Sequence, residues 1–217
     1  MSEESLRETI LRLAAPAVSG QGLETWGLEL NESGRMLVRL YVETPASKES
    51  LDAEPLDGAP SEDGEEAALL SATIDQCESI SRQLAFALEA EDVIDRAYTL
   101  EVSTPGFNRI FFSLDQMRPY VGDMVEARML SAYSPTSEIP TRRSWRGVLQ
   151  EVGTDGFTIA PASVDDDGEV ILEEMTPVAL PFDRIRRVNR IYVFRRPQKP
   201  GKGRKNASAK ANKGKIS

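Results

Sequence analysis

The fold of this chain is decided by the stretch Tyr98-Thr99-Leu100-Glu101-Val102-Ser103-Thr104-Pro105-Gly106-Phe107-Asn108-Arg109. Apolar and polar residues alternate over 98–103, which predicts a strand with one buried face because successive side chains of a strand point to opposite faces. Pro105 sets φ for the second position of a tight turn, and Gly106 supplies the positive φ that a type II turn requires at the third. We therefore expect the chain to reverse here and to place Arg109 just after the turn.

The residues before this strand predict two helices and a hairpin. Apolar residues within 5–15 recur at helical spacing, and Pro16 and then Gly20 and Gly22 are expected to end that helix. Two alternating segments, 23–30 and 36–43, flank a short glycine-containing loop that is typical of a β-hairpin. A capping-box pattern at Thr73 predicts a second helix that runs to about residue 89. This order favours two helices on one face of a small mixed three-stranded sheet.

From Gly122 onward the pattern changes to short β segments separated by proline- and glycine-containing turns. The expected strands cover residues 123–132, 143–152, 157–160, 170–180 in two pieces, and 191–194. Their spacing is that of a small barrel with hairpin connections. Between the last two strands lies the segment 181–188, which carries three arginines among apolar residues. We interpret it as one short turn with a buried and a basic face.

We therefore predict an α+β protein with two ordered domains. Residues 1–118 would form an N-terminal two-helix, three-stranded α/β sandwich, and residues 119–194 a small β-barrel. Residues 44–70 are predicted to be a disordered acidic insertion, since the stretch from Glu43 to Glu66 contains nine acids and a single base, Lys48. This insertion is either a solvated segment or, alternatively, an electrostatic mimic of nucleic acid or a docking loop.

The net charge of −9 conceals two oppositely charged parts. Residues 195–217 carry nine Lys/Arg and no acid, which leaves 17 Lys/Arg against 35 Asp/Glu, a balance of −18, in the rest. We predict that 195–217 is a disordered tail that anchors phosphate backbones, the alternative being a solubility tail without a partner. The candidate phosphate contacts in this tail are Arg195, Arg196, Lys199, Lys202, Arg204 and Lys205.

Composition argues against most enzyme classes. The chain has one cysteine and no histidine, so it lacks an internal disulfide, a zinc-finger ligand set and a Cys/His nucleophile pair. No catalytic residue, metal site or cofactor is predicted. The single thiol, Cys77, lies in the apolar stripe of the second helix and is expected to be inert. The acidic start and the lack of a long apolar run favour a cytoplasmic protein without a membrane partner.

Two separated signatures resemble the ribosome maturation factor RimP family. They are Thr73-Ile74-Asp75-Gln76-Cys77-Glu78-Ser79-Ile80-Ser81-Arg82 and the opening stretch, which in that family normally ends Ser-Pro-Gly-Leu-Asp-Arg-Pro. The order helix, hairpin, helix, strand and small barrel with a Pro-Phe-Asp-x-Ile segment is also similar. This chain departs from the family pattern at Thr104, Phe107, Asn108 and Ile110, whereas Arg109 matches it.

The resemblance implies an assembly factor that binds the small (30S) ribosomal subunit during maturation and catalyses no reaction. It implies an Sm/SH3-like C-terminal barrel, and partners that are rRNA and a basic ribosomal protein rather than a small-molecule substrate. Together with the tail cations, the candidate contacts with the subunit or its rRNA are then Arg109, Arg184, Arg186 and Arg187. A monomer is expected. Two alternatives stay open: an RNA-binding regulator with an Sm-like barrel that is not tied to ribosome assembly, and, as the weaker rival, an enzyme that relies on carboxylates and lysines.

Overall fold

The computed structural model describes residues 3–32, 34–45, 72–136, 139–165 and 168–193. Residues 46–70 of the predicted acidic insertion and all of the predicted basic tail lie outside the described residues. Within the described part the chain is α+β, as predicted, with two sheets that each have their own hydrophobic core.

The first sheet has three strands, and two helices pack against it. The elements are α1 (Glu3–Gly20), β1 (Glu24–Asn31), β2 (Met36–Glu43), α2 (Ile74–Ala90) and β3 (Tyr98–Ser103). Strand β2 lies in the centre, antiparallel to β1 and parallel to β3, so the predicted mixed sheet is confirmed. Val38 and Leu40 of β2 pack with Ile10 of α1 and with Ile80 and Leu84 of α2. Both helices therefore cover the same face of the sheet.

The ends of the two helices show which local predictions were correct. The Thr73 hydroxyl accepts a hydrogen bond from the Gln76 N–H at 3.2 Å, and the Gln76 side chain accepts one from the Thr73 N–H at 2.8 Å. This confirms the capping box. Of the residues predicted to end α1, Pro16 does not end it, because the helix includes Pro16 and continues to Gly20, the next predicted stop. Burial of Ala17 and Val18 in the first core offsets the backbone hydrogen bond that proline cannot donate.

The second sheet contains seven strands in the order β4-β10-β5-β6-β7-β8, with β9 paired to β7. The strands are β4 (Ile110–Phe111), β5 (Met124–Tyr133), β6 (Arg142–Val152), β7 (Gly156–Val164), β8 (Val170–Leu172), β9 (Val178–Pro181) and β10 (Ile185–Ile191). A 3-10 helix, Asp115–Tyr120, joins β4 to β5. Trp145, Leu149 and Ile159 are fully buried between the strands. The hydrogen-bonded order does not return from β8 to β4, so the described strands do not form a closed barrel.

The last strand was placed too late by sequence. The strand expected at 191–194 is wrong at residues 192 and 193, and residue 194 lies outside the described residues. Strand β10 covers Ile185–Ile191, and only Phe182–Arg184 of the expected turn is a 3-10 helix. A register shift between Ile185 and Arg187, opposite Met129 and Arg128, breaks the alternation of buried and exposed residues. Because of this bulge, the sequence of β10 lacks the alternation of a strand and resembles a turn with a basic face.

The opening turn has the positive φ that was predicted at Gly106, which is +68°. The turn itself covers Phe107 and Asn108, slightly later than the predicted Pro105-Gly106 centre. Two hydrogen bonds join the turn to the end of β10. The Asn108 side chain accepts one from the Tyr192 N–H at 2.7 Å, and the Arg109 carbonyl accepts one from the Arg190 N–H at 2.9 Å. The turn therefore links the two sheets.

Of the helices in the described ranges, none combines the length and the hydropathy that a membrane crossing requires.

Candidate functional site

Arg109 lies in the junction between the two sheets. Its Nη1 donates to Tyr120 Oη at 2.6 Å and to Glu43 Oε2 at 3.2 Å. The guanidinium carbon lies 4.8 Å from the centroid of the Trp26 ring, within the range of a cation–π contact. Only 21% of the side chain is exposed. Arg109 is thus engaged within the molecule, between β2, β1 and the 3-10 helix.

The rest of the junction is built around an irregularity in β1. The pairing of β1 with β2 shifts register between Thr25 and Gly27, which leaves the Trp26 backbone free to bond elsewhere. The Trp26 carbonyl accepts from Gln116 Nε2 at 2.6 Å, and Trp26 Nε1 donates to the Ile110 carbonyl at 2.6 Å. Gly27 is needed here, because a Cβ at this position would lie 2.1 Å from Phe112 Cδ2.

A groove of about 1370 Å³ opens beside this junction, between α1, β1 and β10. Arg7, Arg186 and Arg187 bring positive charge to its walls, and Glu29 and Glu32 bring negative charge. Arg7 donates to the Leu28 carbonyl on the free edge of β1. Arg187 pairs with Glu29 at 2.9 Å and so ties β10 to β1. Arg186, in contrast, is exposed and has no ion-pair partner among the described residues.

The outer surface of β10, β5 and β6 carries what we call the arginine face: Arg128, Arg146, Arg186 and Arg187. Arg187 is the register partner of Arg128 on the neighbouring strand. Arg128 and Arg146 flank one carboxylate, Glu126, at 3.7 and 3.0 Å. Both of these arginine side chains are 61% exposed although the Glu126 side chain is only 11% exposed. The nearly buried carboxylate therefore forms ion pairs with two arginines whose side chains remain exposed at the surface.

Glu126 and Glu43 differ in the direction of their pKa shifts. Burial alone would raise the pKa of Glu126, but hydrogen bonds from Ser144 and Arg146 outweigh it and lower that pKa below its ordinary value. Burial raises the pKa of Glu43 above its ordinary value, and the opposing charge and hydrogen bond of Arg109 do not cancel this effect. The Glu126 site favours a charged carboxylate, whereas the Glu43 site resists one.

The structure separates the predicted site residues. Arg186 and Arg187 lie on β10 at the groove, and Arg184 lies with its guanidinium carbon 5.6 Å from the Tyr133 ring centroid. The six predicted cations of the tail, from Arg195 to Lys205, lie outside the described residues. Whether any of these residues contacts RNA stays a prediction. The structure adds Arg128 and Arg146 as exposed cations that sequence reasoning missed. The two-residue spacing of Glu126 and Arg128 could have shown that they share a face of β5, but only the strand register places Arg146 beside Glu126.

Comparisons with known proteins agree on one family. Residues 69–108 match the RimP N-terminal domain. The ribosome maturation factor RimP of Desulfovibrio desulfuricans is 48% identical, over 93% of this chain and 86% of its own length. The ribosome maturation factor RimP of Nitratidesulfovibrio vulgaris strain DP4 is 37% identical, over 91% of this chain and 96% of its own length. That of Lawsonia intracellularis is 26% identical over 92% of this chain. Since this similarity extends over nearly the whole sequence, the chain belongs to the ribosome maturation factor RimP family.

Proposed function

We propose that this chain is an assembly factor that binds the maturing small (30S) ribosomal subunit in the cytoplasm, and that it catalyses no reaction. The observation that carries the proposal is the 48% identity, over 93% of the chain, to a relative named ribosome maturation factor. Its partners would be rRNA and a basic ribosomal protein. Cells that lack this chain are expected to accumulate small-subunit precursors with unprocessed rRNA ends. A normal subunit profile with mature rRNA ends would contradict the proposal.

The arginine face supports rRNA as one partner. Arg128 and Arg146 are oriented by Glu126 yet remain 61% exposed, so their guanidinium groups are available to phosphate oxygens. Arg186 adds an exposed cation without an ion-pair partner in the described part of the chain. Arginine pairs with phosphate in a bidentate geometry, which makes such a face suited to an RNA backbone. We therefore propose backbone contacts without base recognition at this face.

The charge balance supports a basic protein as the other partner. Residues 1–194 carry a balance of −18, which favours association with a cationic surface. The cationic tail of residues 195–217 would then bind RNA beside that protein. Replacing its nine Lys/Arg by glutamine keeps the length of the tail and is expected to weaken subunit binding and to flatten its salt dependence. Unchanged binding at low salt would show that the tail takes no part.

The second sheet supports a finer description of the fold. We propose that it is a partly open Sm/SH3-like barrel, since β9 continues through the 3-10 helix Phe182–Arg184 into β10 and brings the two halves of the sheet together. We also propose that the two cores are two domains, with the passage between them at the turn before β4. Phe111 and Met117, which precede residue 119, pack in the second core. A fragment that begins at residue 104 should then fold alone, as a cooperative unfolding transition would show.

A further inference from the structure

Strand β8 is an open edge of the second sheet. It covers Val170–Leu172, and the only strand it pairs with in the described part of the chain is β7. Its apolar side chains are exposed: Ile171 is 52% and Leu172 is 60% exposed. Val170, and Val164 opposite it on β7, are also exposed. An exposed apolar edge strand is a template for pairing with another chain.

The hairpin register shows which backbone groups of β8 face outward. The Asp165 N–H donates to the Glu169 carbonyl at 3.1 Å, and the Glu173 N–H donates to the Pro161 carbonyl at 2.8 Å. Hydrogen-bonded and non-hydrogen-bonded residue pairs alternate along an antiparallel ladder. Ile171, opposite Ser163, is therefore the next hydrogen-bonded position, and its N–H and carbonyl point to β7. The N–H and carbonyl groups of Val170 and Leu172 therefore point to the open edge. They are two donors and two acceptors at the spacing that an added strand requires.

Charge decides which kind of strand fits this edge. Residues 165–174, Asp-Asp-Asp-Gly-Glu-Val-Ile-Leu-Glu-Glu, contain six acids and no base. Glu169 and Glu174 are exposed, whereas Glu173 pairs with Arg142 at 3.0 Å. A second copy of β8 would bring acids against acids, and like charges opposite one another destabilise a strand pair. A strand with lysine or arginine would be attracted instead.

We infer that the open edge of β8 binds an extended cationic segment of a partner protein, with apolar residues at alternate positions, as an additional antiparallel or parallel strand. Backbone hydrogen bonds would join it to Val170 and Leu172, and its apolar side chains would cover those two residues and Val164. The inference rests on the proposed function in taking a basic ribosomal protein as the source. The chain's own tail fits poorly, since residues 197–215 contain no apolar residue larger than alanine apart from proline.

A synthetic heptapeptide of alternating lysine and valine tests this inference without ribosomes. We expect it to bind the full chain, and we expect two changes to weaken it. Glutamate in place of lysine removes the charge attraction, and N-methyl groups on alternate amides of one edge remove the backbone donors. Since one hydrogen bond contributes a factor of roughly five in affinity, methylation of two or more amides should cost at least about tenfold. Equal binding of the methylated peptide would overturn strand addition.

Variants of the chain locate the peptide on β8. Leu172→Pro removes one outward N–H and leaves the inward bonds of Ile171 in place, so it should weaken peptide binding by about fivefold. Glu169→Lys with Glu174→Lys should weaken it at low salt, whereas Glu8→Lys with Glu151→Lys, two exposed acids elsewhere, should not. Equal effects of the two charge pairs would contradict a site on β8, even if the proline variant did not fold.

Self-association of the chain is the competing outcome. Concentration-dependent dimerisation that Leu172→Pro abolishes would assign the edge to a second copy instead. Neither result would alter the subunit profile on which the proposed function depends.

Discussion

Two arginine–carboxylate clusters in this molecule combine the same chemical groups with opposite results. At the junction, Arg109 and Glu43 are 21% and 25% exposed and are enclosed by Trp26 and Tyr120. On the outer surface of the second sheet, Arg128 and Arg146 remain 61% exposed above the nearly buried Glu126. An enclosed arginine that is bound to both sheets, as Arg109 is through Nη1, stabilises their arrangement. An arginine held from below by a carboxylate keeps donors for a partner.

The largest effect should come from removing the enclosed cation. Arg109→Ala leaves Glu43 without its ion-pair partner and Tyr120 without a hydrogen bond, and we expect it to lower the free energy of unfolding by about 2 kcal/mol, less than for a fully buried pair because the site is partly exposed. Urea denaturation measures this. Arg128→Ala is the matched control and should change the free energy by about 0.5 kcal/mol or less. Equal losses in the two variants would remove the distinction between the clusters.

A slightly smaller effect should follow from filling the junction. Gly27→Ala places a Cβ where the Phe112 ring now lies, and overpacking of this kind costs about 1–2 kcal/mol. Gly20→Ala is the matched control, since a Cβ there meets no atom within 4 Å, and it should be neutral or stabilising. Thermal unfolding of both variants checks the prediction. A Gly27→Ala protein as stable as the parent would mean that the two sheets do not pack closely at Phe112.

The sequence predicted those features of the fold that depend on neighbours in the chain. The hairpin of β1 and β2 and the capping box at Thr73 are set by local alternation and local hydrogen bonds, and both were predicted. Pro16 misled because the contacts that keep α1 helical come from the distant first core. Strand β10 was displaced because its bulge conceals the alternation, and because its partners β4 and β5 lie more than fifty residues away.

The site was less predictable for the same reason. Arg109 was identified from its turn, but its partners Trp26 and Glu43 lie more than sixty residues earlier, and no local pattern joins them. Arg128 and Arg146 belong to adjacent strands whose register the sequence does not specify. Arg184, Arg186 and Arg187 were identified as basic residues, yet only the strand pairing shows that Arg187 lies beside Arg128.

Binding to RNA should show a modest effect of the exposed cations. Arg128→Ala should weaken binding to small-subunit rRNA and lower the slope of log affinity against log salt by about one. Arg82→Ala, an exposed arginine of α2 that pairs with Glu78 within its own helix, should leave that slope unchanged. Filter binding over a range of salt concentrations measures both slopes. The prediction is wrong if the two variants change it equally.

The smallest effect is the pH dependence, and it should have opposite signs in the two clusters. Because the pKa of Glu126 is lowered, its contribution to stability is present above the ordinary value of 4.5 and is lost as pH falls through the folded pKa. Because the pKa of Glu43 is raised, its contribution is present below 4.5 and is lost as pH rises through the folded pKa.

Substitution by glutamine should reveal these signs. From about pH 4 to pH 7, the stability of Glu126→Gln relative to the parent should fall and that of Glu43→Gln should rise, each by less than about 1 kcal/mol because both sites are near solvent. Urea unfolding at a series of pH values gives the two slopes. Slopes of the same sign would contradict the assignment of one carboxylate to a charge-favouring site and the other to a charge-resisting one.

The central claim is that this member of the RimP family acts on the small ribosomal subunit. A sucrose gradient of a cell extract, with the protein located across its fractions, tests that claim most directly. We predict that the protein sediments with free small subunits and their precursors and is absent from intact ribosomes. Recovery only in the slowly sedimenting fractions, with no protein on small subunits, would contradict it.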